Sequence, residues 1–252
     1  MAEERGDLTR VALPPLAWAR TPGRAPTVVF FPGFNSNMNG EKAMALASLC
    51  AARGQAMLRF DYSGHGASGG RFEDGTIGVW TADALDIIDA LTEGDLVLVG
   101  SSMGGWIALL VALARPRRVT GLIGIAAAPD FTEILMWNAM SFETRETLRR
   151  LGKIVAPSRY GPAMPITLAL IEEGRRHLLL ERPIPLACPV RLLHGQADPE
   201  VPWELALRLA EQIATPDLHL TLVKDGDHRL SRPADLALLG ATLAGLLAEN
   251  GG

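Results

Sequence analysis

Short apolar runs rich in β-branched residues alternate along this chain with helix-length segments. Residues 27–31 (TVVFF) form the first clear run and end in Pro32-Gly33. A short apolar run closed by turn residues predicts a buried strand. Residues 44–53 carry helical spacing, with Gly54 placed to cap the C-terminus. Residues 55–61 predict the next strand, followed by the loop Asp61-Tyr62-Ser63-Gly64-His65-Gly66. Thr76 is set as the N-cap of a helix bearing Ile77, Trp80, Ala84, Ile88 and Leu91 on one face. Asp83, Asp86 and Asp89 fall towards the other face. They read as a solvated acidic face rather than a metal site. Further strands are predicted at 96–100, 122–127, 190–194 and 218–223, and helices at 104–114, 203–213 and 236–249. Residues 8–11 and 16–18 fit a short antiparallel hairpin at a sheet edge.

Apolar strands each followed by a helix imply an α/β fold: a mostly parallel central sheet with helices on both faces. Right-handed crossovers place the strand C-terminal ends along one edge, where such sheets bind ligands. The alternation stops between about residues 130 and 185. That stretch has helical patches, prolines at 157, 162, 165, 183 and 185, and several arginines. It is too long for a plain connection, so it reads as a helical cap insertion within one domain spanning residues 1–252. Residues 96–114 contain no charge, which resembles a membrane span. The Gly-rich, polar centre at 100–105 splits it instead into a strand, a turn and a helix, so no membrane span is expected.

Composition adds exclusions. The 252 residues are 48% hydrophobic and 21% charged, the balance of a globular protein with a large core. A net charge of −4 without a basic tract argues against nucleic acid as a partner. Cys50 and Cys188 lack zinc-type spacing and read as buried, inert thiols. The acidic, polar N-terminus resembles neither a signal peptide nor a transit peptide, so a cytoplasmic location is expected.

The chemistry gathers at Gly100-Ser101-Ser102-Met103-Gly104, a G-x-S-x-G frame between a predicted strand and helix. The sharp turn demands small neighbours around a strained serine. Ser102 occupies the centre; centring on Ser101 would require glycine at Val99. A serine hydroxyl needs an adjacent base. Of five histidines, His228 follows the last predicted strand and reaches the correct sheet edge. His194 reads as a supporting or packing residue, His65 as a pocket wall, and His177 and His219 as cap and surface residues. The base needs a buried acceptor. Asp198, after the 190–194 strand, is chosen over Asp225 and Asp227, which read as loop-shaping residues. The order Ser102, Asp198, His228 is that of α/β-hydrolases. Two backbone N–H groups should hold the oxyanion. Met103, after the nucleophile, offers one; Phe34, in Pro32-Gly33-Phe34-Asn35, offers the other.

Nearly the whole chain then resembles the α/β-hydrolase branch that contains a mitochondrial palmitoyl-protein thioesterase also active on acyl glucuronides. The matching stretches are FPGFNSNMNG (31–40), RFDYSGHGASGG (59–70), GSSMGGWIALLVALARP (100–116), PIPLACPVRLLHG (183–195), RLLHGQADPEVPW (191–203) and DHR (227–229). The resemblance implies the same triad and oxyanion pair, and hydrolysis of S-acyl thioesters and esters without metal or cofactor. The implied substrate is a small acyl ester or thioester, or an S-acylated protein. The chain begins almost at the fold, which suggests a bacterial cytoplasmic relative. Cap residues Leu135, Met136, Trp137 and Met140 are candidates for an acyl pocket, or for packing of the cap onto the core. A general carboxylesterase, an acyltransferase and a non-catalytic binding protein are the alternatives.

Overall fold

The structure is a computed structural model and describes residues 3–157 and 163–249. Among these residues the main sheet has eight strands: β1 (Glu4–Arg10), β2 (Leu13–Thr21), β3 (Arg24–Phe31), β4 (Gln55–Phe60), β5 (Leu96–Ser101), β6 (Val119–Ile125), β9 (Val190–Gly195) and β10 (Leu218–Val223). Their spatial order is β1-β2-β4-β3-β5-β6-β9-β10. The β1–β2 and β2–β4 pairs are antiparallel, and every other pairing in this sheet is parallel. The predicted edge hairpin is therefore present but longer. It starts at Glu4 and reaches Thr21, far enough to pair with β4.

Strand alternation divides the core into two layers. Val28 and Phe30 face one side with Val97, Val99, Ile123 and Ile125. There they meet α1 (Glu41–Arg53) and α7 (Pro233–Glu249). Val29 and Phe31 face the other side with Leu96, Leu98 and Leu192. They meet α2 (Ile77–Leu91), α3 (Met103–Ala114) and α6 (Glu204–Gln212). This period-two assignment explains why the strands are apolar throughout: both faces are covered. Gly54 ends α1 at φ 62, and the Thr76 side chain accepts a hydrogen bond from Val79 N at the start of α2, as the caps require.

One expectation is overturned on α2. Asp83 is not on a solvated face; it is 2% exposed. Arg10 of β1 donates to Asp83 Oδ1 at 2.6 Å, and Ser63 N donates to Asp83 Oδ2 at 2.8 Å. Arg10 also reaches Asp86, Ser63 Oγ and Pro14 O. The carboxylate turns inward because the edge hairpin brings a buried cation to it. Asp89 stays near the surface and pairs with Arg115 and Arg118.

The segment between β6 and β9 holds a π-helical turn (Thr132–Trp137), α4 (Phe142–Leu151), β7 (Lys153–Ala156), β8 (Met164–Thr167), α5 (Leu168–Gly174) and a 3₁₀ turn (Arg175–His177). β7 and β8 form an antiparallel hairpin of their own, which the helical reading of this stretch did not contain. Pro162 lies outside the described residues. Asp130, at φ 60, ties the two ends of the segment together: its carboxylate accepts from Leu179 N at 2.8 Å and Leu180 N at 2.9 Å. No helix among the described residues is long and apolar enough to cross a membrane.

Candidate active site

The turn from β5 into α3 places Ser102 at φ 54 and ψ −120. Non-glycine residues rarely hold a positive φ without support. Here Ser102 N donates to Ile125 O at 2.9 Å, and Ser102 O accepts from Gly105 N and Ala128 N. The small residues of the motif permit the crossing of chains. A side-chain carbon at Gly104 would lie 2.1 Å from Phe31 O, and one at Gly100 would lie 2.3 Å from Gly104 O. The loop after β3 sits against the serine: a carbon built on Gly33 would be 3.4 Å from Ser102 Cβ. Phe34 follows directly in that loop, and Met103 opens the first turn of α3. Partial positive charge concentrates at such a helix start.

Asp198 and His228 arrive on the loops after β9 and β10, which are bound to each other. Gln196 N donates to Val223 O at 2.8 Å, and Ala197 N to Gly226 O at 2.9 Å. A side chain at Gly195 would lie 2.2 Å from Gly226 O, so glycine lets these loops close. His228 Nδ1 is then 2.7 Å from Asp198 Oδ2, and His228 Nε2 is 3.1 Å from Ser102 Oγ. With the proton on Nδ1, the ring donates to Asp198 and its Nε2 accepts from the serine hydroxyl. Three residues separated by up to 126 positions thus form one hydrogen-bonded line.

The Asp198 side chain is fully buried. Burial alone would push its carboxyl up, but hydrogen bonds from His194, His228 and Val201 N hold it well below the usual range. Asp198 Oδ1 accepts from Glu200 N at 2.8 Å and Val201 N at 2.9 Å, which fixes the carboxylate plane. His194 Nε2 donates to Val201 O at 2.9 Å and lies 3.4 Å from Asp198 Oδ2, a supporting position. Asp227 shapes its loop by accepting from Arg229 N and Leu230 N. His219 is exposed and lies beside Asp217, and His177 pairs with Glu173 in the inserted segment.

Two neighbours were not read from sequence. Glu200 Oε2 lies 3.7 Å from His228 Nε2, on the side away from Asp198. Lys42 of α1 donates to Arg229 O, bracing the residue after His228. Their signal was weak: one sits in a loop turn and the other on a helix distant in sequence. The four apolar cap candidates divide. Leu135 and Met136 pack against the main core, and Met136 and Met140 also join a smaller cluster with Phe34. Trp137 is buried in that cluster beneath the guanidinium groups of Arg145, Arg149 and Arg175, at 5.2, 5.0 and 4.9 Å. Packing accounts for it. Among the described residues no His, Cys, Asp and Glu group has metal-site geometry.

Comparison with known proteins gives the chain its family. Residues 24–166 match the family model described as serine aminopeptidase, S33. The mouse mitochondrial palmitoyl-protein thioesterase ABHD10 is 45% identical over 242 residues, covering 95% of this chain and 81% of the mouse protein. The chain belongs to the α/β-hydrolase family. The α/β-hydrolase structure of mouse domain-containing protein 10 superposes with a TM-score of 0.91 at 44% identity, covering 98% of this chain and 99% of the other. An Agrobacterium vitis S4 protein superposes at 0.93 and 39% identity, again over 98% and 99% of the two chains. The likeness to these two structures is one of overall fold and spans nearly the whole of each chain.

Proposed function

We propose that this α/β-hydrolase cleaves acyl thioesters or carboxylic esters through an acyl-enzyme on Ser102. The observation that carries the reading is the line from Ser102 Oγ through His228 to Asp198, with separations of 3.1 and 2.7 Å. His228 takes the Ser102 proton as Oγ attacks the acyl carbonyl. The N–H groups of Phe34 and Met103 receive the developing oxyanion. The carbonyl re-forms, the bond to the thiol or alcohol breaks, and His228 returns the proton to the leaving group. Water, deprotonated by His228, then attacks the acyl-enzyme and releases the acid and Ser102. Asp198 holds the imidazole in the required tautomer and stabilises its positive form.

Palmitoyl-thioesterase activity is the finer reading, supported by the likeness to mouse palmitoyl-protein thioesterase ABHD10. The segment between β6 and β9 acts in this reading as a cap beside Phe34. Action in the cytoplasm is part of the proposal, and cell fractionation tests it. The catalytic test is hydrolysis of matched acyl thioesters and oxyesters, short to palmitoyl, by wild type and Ser102→Ala. The mutant should lose about 10⁴-fold or more in kcat. A long-chain thioester preference supports S-deacylation. A short-oxyester preference makes the protein a general esterase, and ester products formed with added alcohols reveal an acyltransferase. Activity surviving in Ser102→Ala would overturn the mechanism.

A further inference from the structure

The loop carrying Phe34 is held from within by a histidine outside the Ser102–His228–Asp198 line. His65 is 4% exposed, and its Nε2 accepts from the backbone N of Asn35 at 3.2 Å. Asn35 is the residue after Phe34 and sits at φ 54, a conformation that needs support in a non-glycine residue. The ring itself is confined. Its centroid lies 5.6 Å from Tyr62, 5.0 Å from Phe72 and 5.1 Å from Trp80. Phe72 and Trp80 also contact Phe34, at 5.0 and 5.8 Å. One aromatic nest therefore fixes both the histidine and the side chain of the loop it supports.

The tautomer follows from the partners. Nε2 must be unprotonated to accept the Asn35 amide, which leaves Nδ1–H directed at Ser63 O, 3.3 Å away. Ser63 is fixed in turn: its N donates to buried Asp83, and its O accepts from Trp80 Nε1 at 3.1 Å. A path of hydrogen bonds runs from Arg10 through Asp83 and Ser63 to His65 and Asn35.

We propose that His65 is a positioning residue of the oxyanion hole, aiming the Phe34 N–H by accepting the adjacent Asn35 amide. This rests on the serine-hydrolase reading above. Donors aimed at an oxyanion act on the transition state far more than on bound substrate. Loss of the tie should therefore lower kcat and leave KM nearly unchanged. A mere wall of the pocket would move KM instead.

The test uses the full chain with p-nitrophenyl butyrate as probe and a trifluoromethyl ketone as mimic of the tetrahedral oxyanion. His65→Leu removes the acceptor and keeps apolar bulk; His65→Gln keeps an acceptor oxygen near the position of Nε2. In His65→Leu, kcat should fall at least about tenfold, KM should stay within about twofold, and ketone affinity should fall with kcat. His65→Gln should recover most of the loss. Unchanged kcat in His65→Leu, with turnover still dependent on Ser102, overturns this proposal alone. Turnover that survives Ser102→Ala overturns the serine-hydrolase reading and this proposal with it. ¹⁵N NMR of wild type decides the matter even where His65→Leu does not fold: protonated Nδ1 and unprotonated Nε2 at neutral pH support the tie, and the opposite tautomer refutes it.

Discussion

Ser102 carries a backbone strain that two substitutions separate from its chemistry. Its φ of 54 and ψ of −120 lie outside the regions open to ordinary residues. Such a conformation costs on the order of 1–3 kcal/mol. Ser102→Ala and Ser102→Gly both lose the hydroxyl and its hydrogen bond to His228. Only the glycine also loses Cβ, and with it the clash that generates the strain. Glycine gains freedom in the unfolded chain, which offsets roughly 0.5–1 kcal/mol. The glycine variant should therefore be more stable than the alanine variant by about 1 kcal/mol. In a domain of this length that corresponds to a difference in Tm of roughly 2–4 °C. Urea unfolding of the two inactive variants at neutral pH, with equal m-values, measures the difference directly. An alanine variant more stable than the glycine variant would refute the claim that the elbow is strained.

Three other outcomes follow from buried groups. Asp83→Ala leaves Arg10 without its buried partner and should cost about 3–5 kcal/mol by urea unfolding. Ser63 N, left without its acceptor, adds to that cost, and a loss below about 1 kcal/mol would count against the pairing. Burial pulls the His65 imidazole down to about 4. Because that lies below the unfolded value of about 6.5, the unfolded chain takes up the proton first, and stability falls from pH ~6.5 towards ~4 by up to about 3 kcal/mol. His65→Gln should lack this component, so the stability gap between the proteins must change with pH in that window. Burial raises the Cys50 thiol to about 12 and also raises Cys188. Neither should react with a thiol reagent such as DTNB in the native protein; prompt labelling at pH 8 would contradict their burial.

The parallel strands and their helices were legible because each pattern is local. A run such as Val28–Phe31, or the cap at Thr76, needs no distant partner to be recognised. The serine turn was legible for the same reason, since its small residues surround it in sequence. Asp83 was misread because its partner, Arg10, lies 73 residues away. The helical period alone places it among Asp86 and Asp89. The β7–β8 hairpin escaped because both strands have four residues, only one of the eight is buried, and β8 contains Pro165. Such strands show neither clean alternation nor an apolar run. The sequence puts His65 in a Gly-rich loop at the same sheet edge, but its tie to Asn35 depends on how two loops from different strands meet.

The two ends of the excursion between β6 and β9 meet at a single carboxylate, with Asp130 and Leu180 fifty residues apart in the chain and bonded in space. That closure makes the excursion a handle on the sheet. β6 and β9 are spaced by their own parallel pairing, so what Asp130 sets is the point at which the excursion leaves the fold and the point at which it rejoins it. Glu173 and His177 add a second fastening, accepting from Gly78 N of α2 and from Trp106 Nε1 of α3, so the excursion is stapled both at its mouth and along its length. What covers Phe34 is in that sense a strap buckled to the helices beside the serine, not a flap hung from two strand ends.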